Sequence, residues 1–426
     1  MAEIIAQPPR REALAGDVKL VGLVSAAHFI SHFYQLVLPP IFPLLTEVFG
    51  VGYAELGLVV SLMYVASGLM QTPAGIVVDR LGPTPVLIGG LGLFSGAVLL
   101  FGLAPGFWWL APLALVAGLG NCVFHPADYA IMTARVGPGR LGRAFGTHGV
   151  AGNLGWVAAP ASVLGLTALF GWRAALVILG AAGLLFTAYI VTQRAVLTGD
   201  PVKARTADPA PAAAGDKGAR ILLSAPILLC FAYFTLLSVA QVGLQTFLPS
   251  AAVAAFGISI AAGNAMLTGF LLAAALGVVA GGILADRFAN HGLVIAVGLA
   301  ASAVLSLVFA VAALPVLALA ACASLAGLAF GGTMPARDML VRGAAPQGAT
   351  GKVFGFVYSG LDLGAAIAPP FLGLLLDHGR PRLVFVVSAA ALFVAIATAV
   401  AVGGDAAGAA HKPAAPARDD SADRPA

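Results

Sequence analysis

Four of the seven histidines in this chain stand in apolar sequence where charge is scarce. His28 and His32 lie in HFISHFYQLVLPPIFPLL (28–45), four residues apart and therefore on one helix face. His125 lies in GNCVFHPADYAIMTARVG (120–137) beside Pro126 and Asp128, and His148 comes five residues after Arg143. Asp362 is a lone acid in GLDLGAAIAPP (360–370). Imidazole exchanges a proton near neutral pH, and a carboxylate can act as proton carrier or counter-ion. The set His28, His32, His125 and Asp362 is also one that a transition-metal ion accepts. Covalent or hydrolytic chemistry is not indicated, because there is no serine nucleophile elbow and no zincin motif. GRLGRAFG (139–146) lacks the Gly-Lys-Ser/Thr of a nucleotide loop, so ATP coupling is not indicated either. The residues point to binding and transport, not catalysis, with no cofactor and no resident metal expected.

These residues need elements that hold them inside a bilayer. The chain is 60% hydrophobic and only 9% charged, against roughly 25% charged residues in a soluble domain. Such a sequence cannot hide its apolar surface in a globular core. Apolar runs near the ~20 residues of a spanning helix recur along the chain. Reading between breakers predicts an all-α membrane protein of twelve transmembrane helices, and a barrel is excluded because polar and apolar residues do not alternate. The first span is expected at 20–45, the fourth at 108–134, the fifth at 143–169 and the eleventh at 350–376. Residues 1–19 read as a polar N-terminal tail and 195–220 as a Pro- and Ala-rich linker. The linker separates one six-helix bundle at 20–194 from another at 221–403. The tail 404–426 reads as disordered.

Lys and Arg orient the bundle. Of 22, only Arg173, Arg380 and Arg382 fall on the side away from the termini. The positive-inside rule then places both termini in the cytoplasm. No basic run exceeds Arg10-Arg11, so nucleic acid is not an expected partner. The expected partners are the lipid bilayer, protons and a small organic substrate, with the chain acting as a monomer.

Depth can be counted from the nearest basic residue at ~1.5 Å per residue. His28, His32, His125, Asn153 and Asp362 then lie roughly 14–20 Å deep, near the middle of a ~30 Å hydrocarbon layer. Gln241 and Gln245, one turn apart on the seventh span, are expected to line the same cavity further out. His148 comes out shallower, near the inner mouth. Asp128 also comes out nearer the inner face, where pairing with Arg135 or a basic loop is expected. Arg337 and Asp338 hold the matching end of the tenth span and are expected to close a similar ion-pair network.

The two halves repeat. With a shift of 209 residues, AGLGNCVFHP (117–126) meets AGLAFGGTMP (326–335), and GRAFG (142–146) meets GKVFG (351–355). Asn153 meets Asp362, and Pro126 meets Pro335. Parallel six-helix repeats suit alternating access, in which one half rocks on the other around a central site. GIVVDRLGPTPVL (75–87) resembles the G-x-x-x-D-R-x-G loop motif of the major facilitator superfamily, through Gly75, Asp79, Arg80 and Gly82. GGILADRFANHG (281–292) resembles a second copy through Gly282, Asp286 and Arg287, with Ala289 in place of the last glycine. The resemblance covers residues 18–403 and implies two pseudo-symmetric bundles with spans 1, 4, 5 and 11 among those lining the cavity. It also implies a gating role for Asp79, Arg80, Asp286 and Arg287, whose ionic contacts would latch one state and release in another. HFISHFYQLVLPPIFPLL and GLGNCVFHPADYA (118–130) resemble the fosmidomycin-resistance-like efflux branch, with His32 standing where that branch has an acid.

The resulting expectation is a secondary transporter of a bacterial inner membrane, exporting a small organic compound in exchange for protons. Proton-linked uptake of a small organic anion and transition-metal transport are the alternatives. The orientation has a direct check. A fluorescent-protein fusion within 195–220 will fluoresce and an alkaline phosphatase fusion there will be inactive, whereas phosphatase fused after residue 105 or 380 will be active. The opposite pattern inverts the topology.

Overall fold

Backbone amides that enter hydrocarbon must be satisfied within the chain, and helices are how this sequence does it. The structure, a computed structural model, describes residues 10–198, 221–288, 290–311, 314–346 and 350–410. Every regular element among them is helical. Eleven helices are long and apolar enough to cross a membrane. One of these, Leu141–Thr192, has 52 residues, about 78 Å of helix, and is more than one bilayer crossing. It breaks at Gly171, whose φ of 80° only glycine adopts without strain, so it supplies the fifth and sixth of twelve spans.

The first helix begins earlier than expected, at Arg10, and stops at Gln35. A turn at Pro39–Ile41 and a short helix Phe42–Phe49 complete the crossing. The second and third spans are Tyr53–Leu81 and Pro83–Leu103. The linker expected at 195–220 begins with one helical turn, Arg194–Thr198, and residues 199–220 lie outside the described residues. The last helix, Arg382–Ala410, runs into the stretch expected as tail; residues 411–426 and 1–9 lie outside the described residues.

The repeat reappears as matched breaks. The fourth span consists of Leu110–Asn121 and Phe124–Arg135, and the tenth of Val316–Gly332 and Met334–Ala344. Pro126 and Pro335 sit in the first turn after each break, where a missing N–H costs least. Both breaks therefore re-aim the second half of a span, and in the fourth they re-aim His125 and Asp128.

The halves meet mainly where the second span packs on the eleventh, Thr350–Asp377, and the fifth on the eighth, Ile260–Arg287. At the face away from the termini the contact is close. The Asp377 carboxylate accepts from the Tyr53 and Ala54 amides at 2.7 and 2.9 Å, at the N-terminus of the second span. A Cβ on Gly57 would lie 2.5 Å from the Pro369 carbonyl, and one on Gly373 would lie 2.4 Å from that of Tyr53. Ser61 donates to the Ala366 carbonyl, Asn264 donates to that of Pro40, and Phe42 packs on Phe247. Toward the terminal face Asp79, Arg80, Asp286 and Arg287 are exposed. The bundle is thus closed at the far face.

A carboxylate on a helix N-terminus at an exposed position is worth up to about 1 kcal/mol. Asp377→Ala is expected to raise the population open at the far face roughly fivefold. Labelling of a cysteine placed at Ser61 measures it, and unchanged labelling would remove Asp377 from the closure.

Candidate functional site

The first, fourth and fifth spans bring four imidazoles and one carboxylate together inside the N-terminal half. His28 is the hub. Its ring stacks on His148 at 3.9 Å between centroids, tilts against His32 at 4.3 Å and meets His125 edge-on at 5.4 Å. Asp128 is fully buried between two of these rings. Its Oδ2 lies 3.8 Å from His28 Nδ1 and 3.6 Å from His148 Nε2. These gaps exceed hydrogen-bond length, and both Asp128 oxygens, His28 Nδ1 and both His148 nitrogens have no hydrogen-bond partner among the described residues.

Glycine makes the approach possible. A Cβ on Gly152 would lie 2.7 Å from His28 Nε2 and 2.8 Å from His32 Nδ1. A Cβ on Gly155 would lie 2.2 Å from the Phe29 carbonyl. The fifth span therefore lies flat on the first only because these two positions carry no side chain.

A polar chain extends from the cluster. His32 stacks on Trp156 at 4.2 Å, and the Trp156 indole donates to Gln35 at 3.0 Å. Gln35 donates to Asn121, and Asn121 donates to Ser67. Four spans are joined by these side chains, of which only His32 stands out in the sequence. Gln35 was findable, since it is seven residues after His28 and shares its face. On the other side Tyr129, half exposed, stacks on His125 at 6.0 Å and leans on His148 at 5.7 Å.

Two expectations need correction. Asp128 does not sit at an inner gate paired with Arg135; its carboxylate is enclosed by His28 and His148. His148 does not sit at the mouth; it is 1% exposed and stacked on His28. Arg135 ends the helix Phe124–Arg135, seven residues beyond Asp128. Asn153 donates to the Gly149 carbonyl of its own helix at 2.9 Å. Asp362 packs on the second span, its Cβ 2.8 Å from where a Gly68 Cβ would lie, on the seam between the halves. Gln245 is buried and Gln241 half-buried on the seventh span, Ala225–Phe256.

In the C-terminal half the corresponding break carries a different set. The buried Arg337 guanidinium binds Asp338 Oδ1 through Nε at 3.0 Å and lies 4.7 Å over the Phe234 ring. Tyr358 donates to the same Asp338 oxygen at 3.0 Å. The expected pairing of Arg337 with Asp338 is therefore present, supported by an aromatic shelf.

The sequence profile of the Major Facilitator Superfamily matches residues 24–265 and 240–422. The chain belongs to that superfamily, and it is a multi-pass membrane transporter, not an enzyme. It is 29% identical over 380 residues to the fosmidomycin resistance protein of Escherichia coli, covering 87% of this chain and 89% of that one. It is 31% identical over 169 residues to a probable sulfoacetate transporter of Cupriavidus necator, covering 39% of each. A solved bacterial homologue of the human lysosomal transporter Spinster superposes with a TM-score of 0.71 at 18% identity, covering 94% of this chain and 96% of that one, and has the same fold.

The Gly152 contact gives a sharp expectation. Gly152→Ala drives a methyl group into His28 and His32, so it will destabilise the folded protein by about 1–3 kcal/mol. Gly149→Ala, one turn away and facing open space, will not. Thermal unfolding of the purified variants distinguishes them, and equal melting points would mean the rings simply move aside.

Proposed function

We propose that this transporter exports a small organic molecule in exchange for protons, and that the histidine cluster with Asp128 is the proton site. The carrying observation is the fully buried Asp128 carboxylate with two imidazoles within 3.8 Å of one of its oxygens. A proton on His28 Nδ1 or His148 Nε2 faces that oxygen, so loading converts a buried negative charge into a neutral pair. A second proton would put like charges on rings stacked at 3.9 Å, so the cluster loads one proton at a time. His32 and His125 flank the loaded pair and carry the change toward the cavity.

Positive-inside bias makes the terminal face cytoplasmic, in a bacterial inner membrane. The far-face closure then corresponds to a cavity open to the cytoplasm, the state in which an exporter receives its cargo. Asn153, Gln241, Gln245 and Asp362 contribute polar contacts to that cavity, with Asp362 on the seam that moves. Asp79, Arg80, Asp286 and Arg287 form the cytoplasmic latch of the opposite state, where they leave solvent for ionic contacts between helix ends. Arg135 and the Arg337–Asp338 pair belong to the same closing face. Likeness to the fosmidomycin resistance protein favours export. Uptake of an organic anion is the second reading, favoured by the buried Arg337 guanidinium and by the likeness to a probable sulfoacetate transporter.

Proteoliposomes with a trapped pH dye test both. Fosmidomycin, sulfoacetate and a panel of other small anions and cations are added, and substrate-induced proton flux is recorded for wild type and for His32→Ala, His125→Ala, Asp128→Asn and Asp362→Asn. Counterflow of proton and substrate, lost in Asp128→Asn and weakened in the other three, is the expected result. Co-directional flux selects uptake. Wild-type flux in all four variants rejects the central proton site.

A further inference from the structure

The cluster has a second chemical property, one that competes with proton loading for the same lone pairs. Three donor groups from three spans converge: His28, Asp128 and His148 each offer a ligand atom, all within 4.8 Å of one another, and Asp128 Oδ2 lies 3.8 Å from His28 Nδ1 and 3.6 Å from His148 Nε2. All three residues are buried. None of the three atoms has a hydrogen-bond partner among the described residues. A buried polar atom without a partner is costly, and here three of them share one locus.

We propose that His28, Asp128 and His148 form a binding site for one divalent transition-metal ion in the N-terminal half. The donor chemistry selects the ion. Two imidazoles and one carboxylate suit zinc, cobalt or nickel, while calcium and magnesium require oxygen donors. Metal–ligand bonds of ~2.0–2.2 Å at a tetrahedral centre place neighbouring donors roughly 3.4 Å apart. The oxygen-to-nitrogen gaps of 3.8 and 3.6 Å need to close by only a few tenths of an ångström. The stacked rings of His28 and His148 each hold their lone pair in their own plane, so binding turns one ring out of the stack.

The charge balance also fits. One carboxylate and two neutral imidazoles reduce a divalent ion to a single net positive charge, in a region that otherwise offers no answer to it. Three protein donors leave a fourth position, as in zinc sites that keep a place for water or substrate. The site is flanked by His125, which packs edge-on against His28 at 5.4 Å and is an exposed residue. An ion there ties the first, fourth and fifth spans at one point and presents an electrophile to an anionic cargo.

The test uses the full chain, purified on a tag without histidine, stripped with chelator and held in nanodiscs. Cobalt(II) is titrated while the visible ligand-field spectrum is followed, and zinc is used in competition. The expected result is one ion per chain, a four- or five-coordinate cobalt spectrum, displacement by zinc and no displacement by about a hundredfold excess of magnesium or calcium. Asp128→Asn and His148→Gln should each weaken binding by about a hundredfold or more, while His291→Gln combined with His378→Gln, away from the cluster, should not. X-ray absorption on zinc-loaded wild type, which needs no variant to fold, should show two imidazoles in the coordination shell. Absence of saturable binding, binding that survives both cluster variants, or a shell without imidazole would each overturn the site.

Discussion

A charge carried into hydrocarbon must be answered by another side chain, and in this protein the demand is concentrated on Asp128. A carboxylate at full burial cannot be left to water, and an isolated one costs several kcal/mol or more. The chain answers it with imidazoles from the first and fifth spans, which forces those spans into contact with the fourth. That contact in turn requires Gly152 and Gly155, because a single Cβ at either position would collide with the first span. The break before Pro126 is shared with the tenth span, and in the fourth it carries His125 and Asp128 on the segment beyond it. Ring contacts and glycine seam are the local consequences of one buried acid.

The two halves share a backbone plan and differ in chemistry. Both fourth-type spans break just before a proline, so the duplicated unit survives as geometry. In the N-terminal half the space beyond the break holds titratable groups; in the C-terminal half it holds Arg337, a permanent cation paired with Asp338 and seated on Phe234. In the proposed proton-coupled cycle, a proton changes the charge of one half while the other stays fixed, and rocking of the halves moves a variable charge past a constant one.

Much of this was legible in the sequence, and the misses have a common cause. Span number and the repeat follow from where apolar runs stop, which the bilayer dictates. Depth was harder. His28, Asp128 and His148 stand nine, seven and five residues from Lys19, Arg135 and Arg143, yet they share one level. Counting from the nearest charge assumes that those charges lie in a plane. Long basic side chains reach the interface from different heights, so the assumption fails by about one helical turn. Direction was harder still: Asn153 bonds its own helix. Its repeat partner Asp362 faces the second span at Gly68. Periodicity gives the height of a residue, while its azimuth depends on which neighbour lacks a side chain.

The closure at the far face combines backbone and side-chain contacts. Gly57 meets the Pro369 carbonyl and Gly373 meets that of Tyr53, so the second and eleventh spans touch main chain to main chain. Phe42 and Tyr53 pack on Phe247 beside them, and Asp377 on the amides of Tyr53 and Ala54 is exposed to water that can replace it. The interior behaves oppositely. The histidine cluster is enclosed within one half, and its contacts join spans of that half alone. A transporter needs a contact that opens at low cost and a site that does not fall apart when it opens. Placing the hydrated seam between the halves and the dense polar cluster inside one of them satisfies both requirements with the same twelve helices.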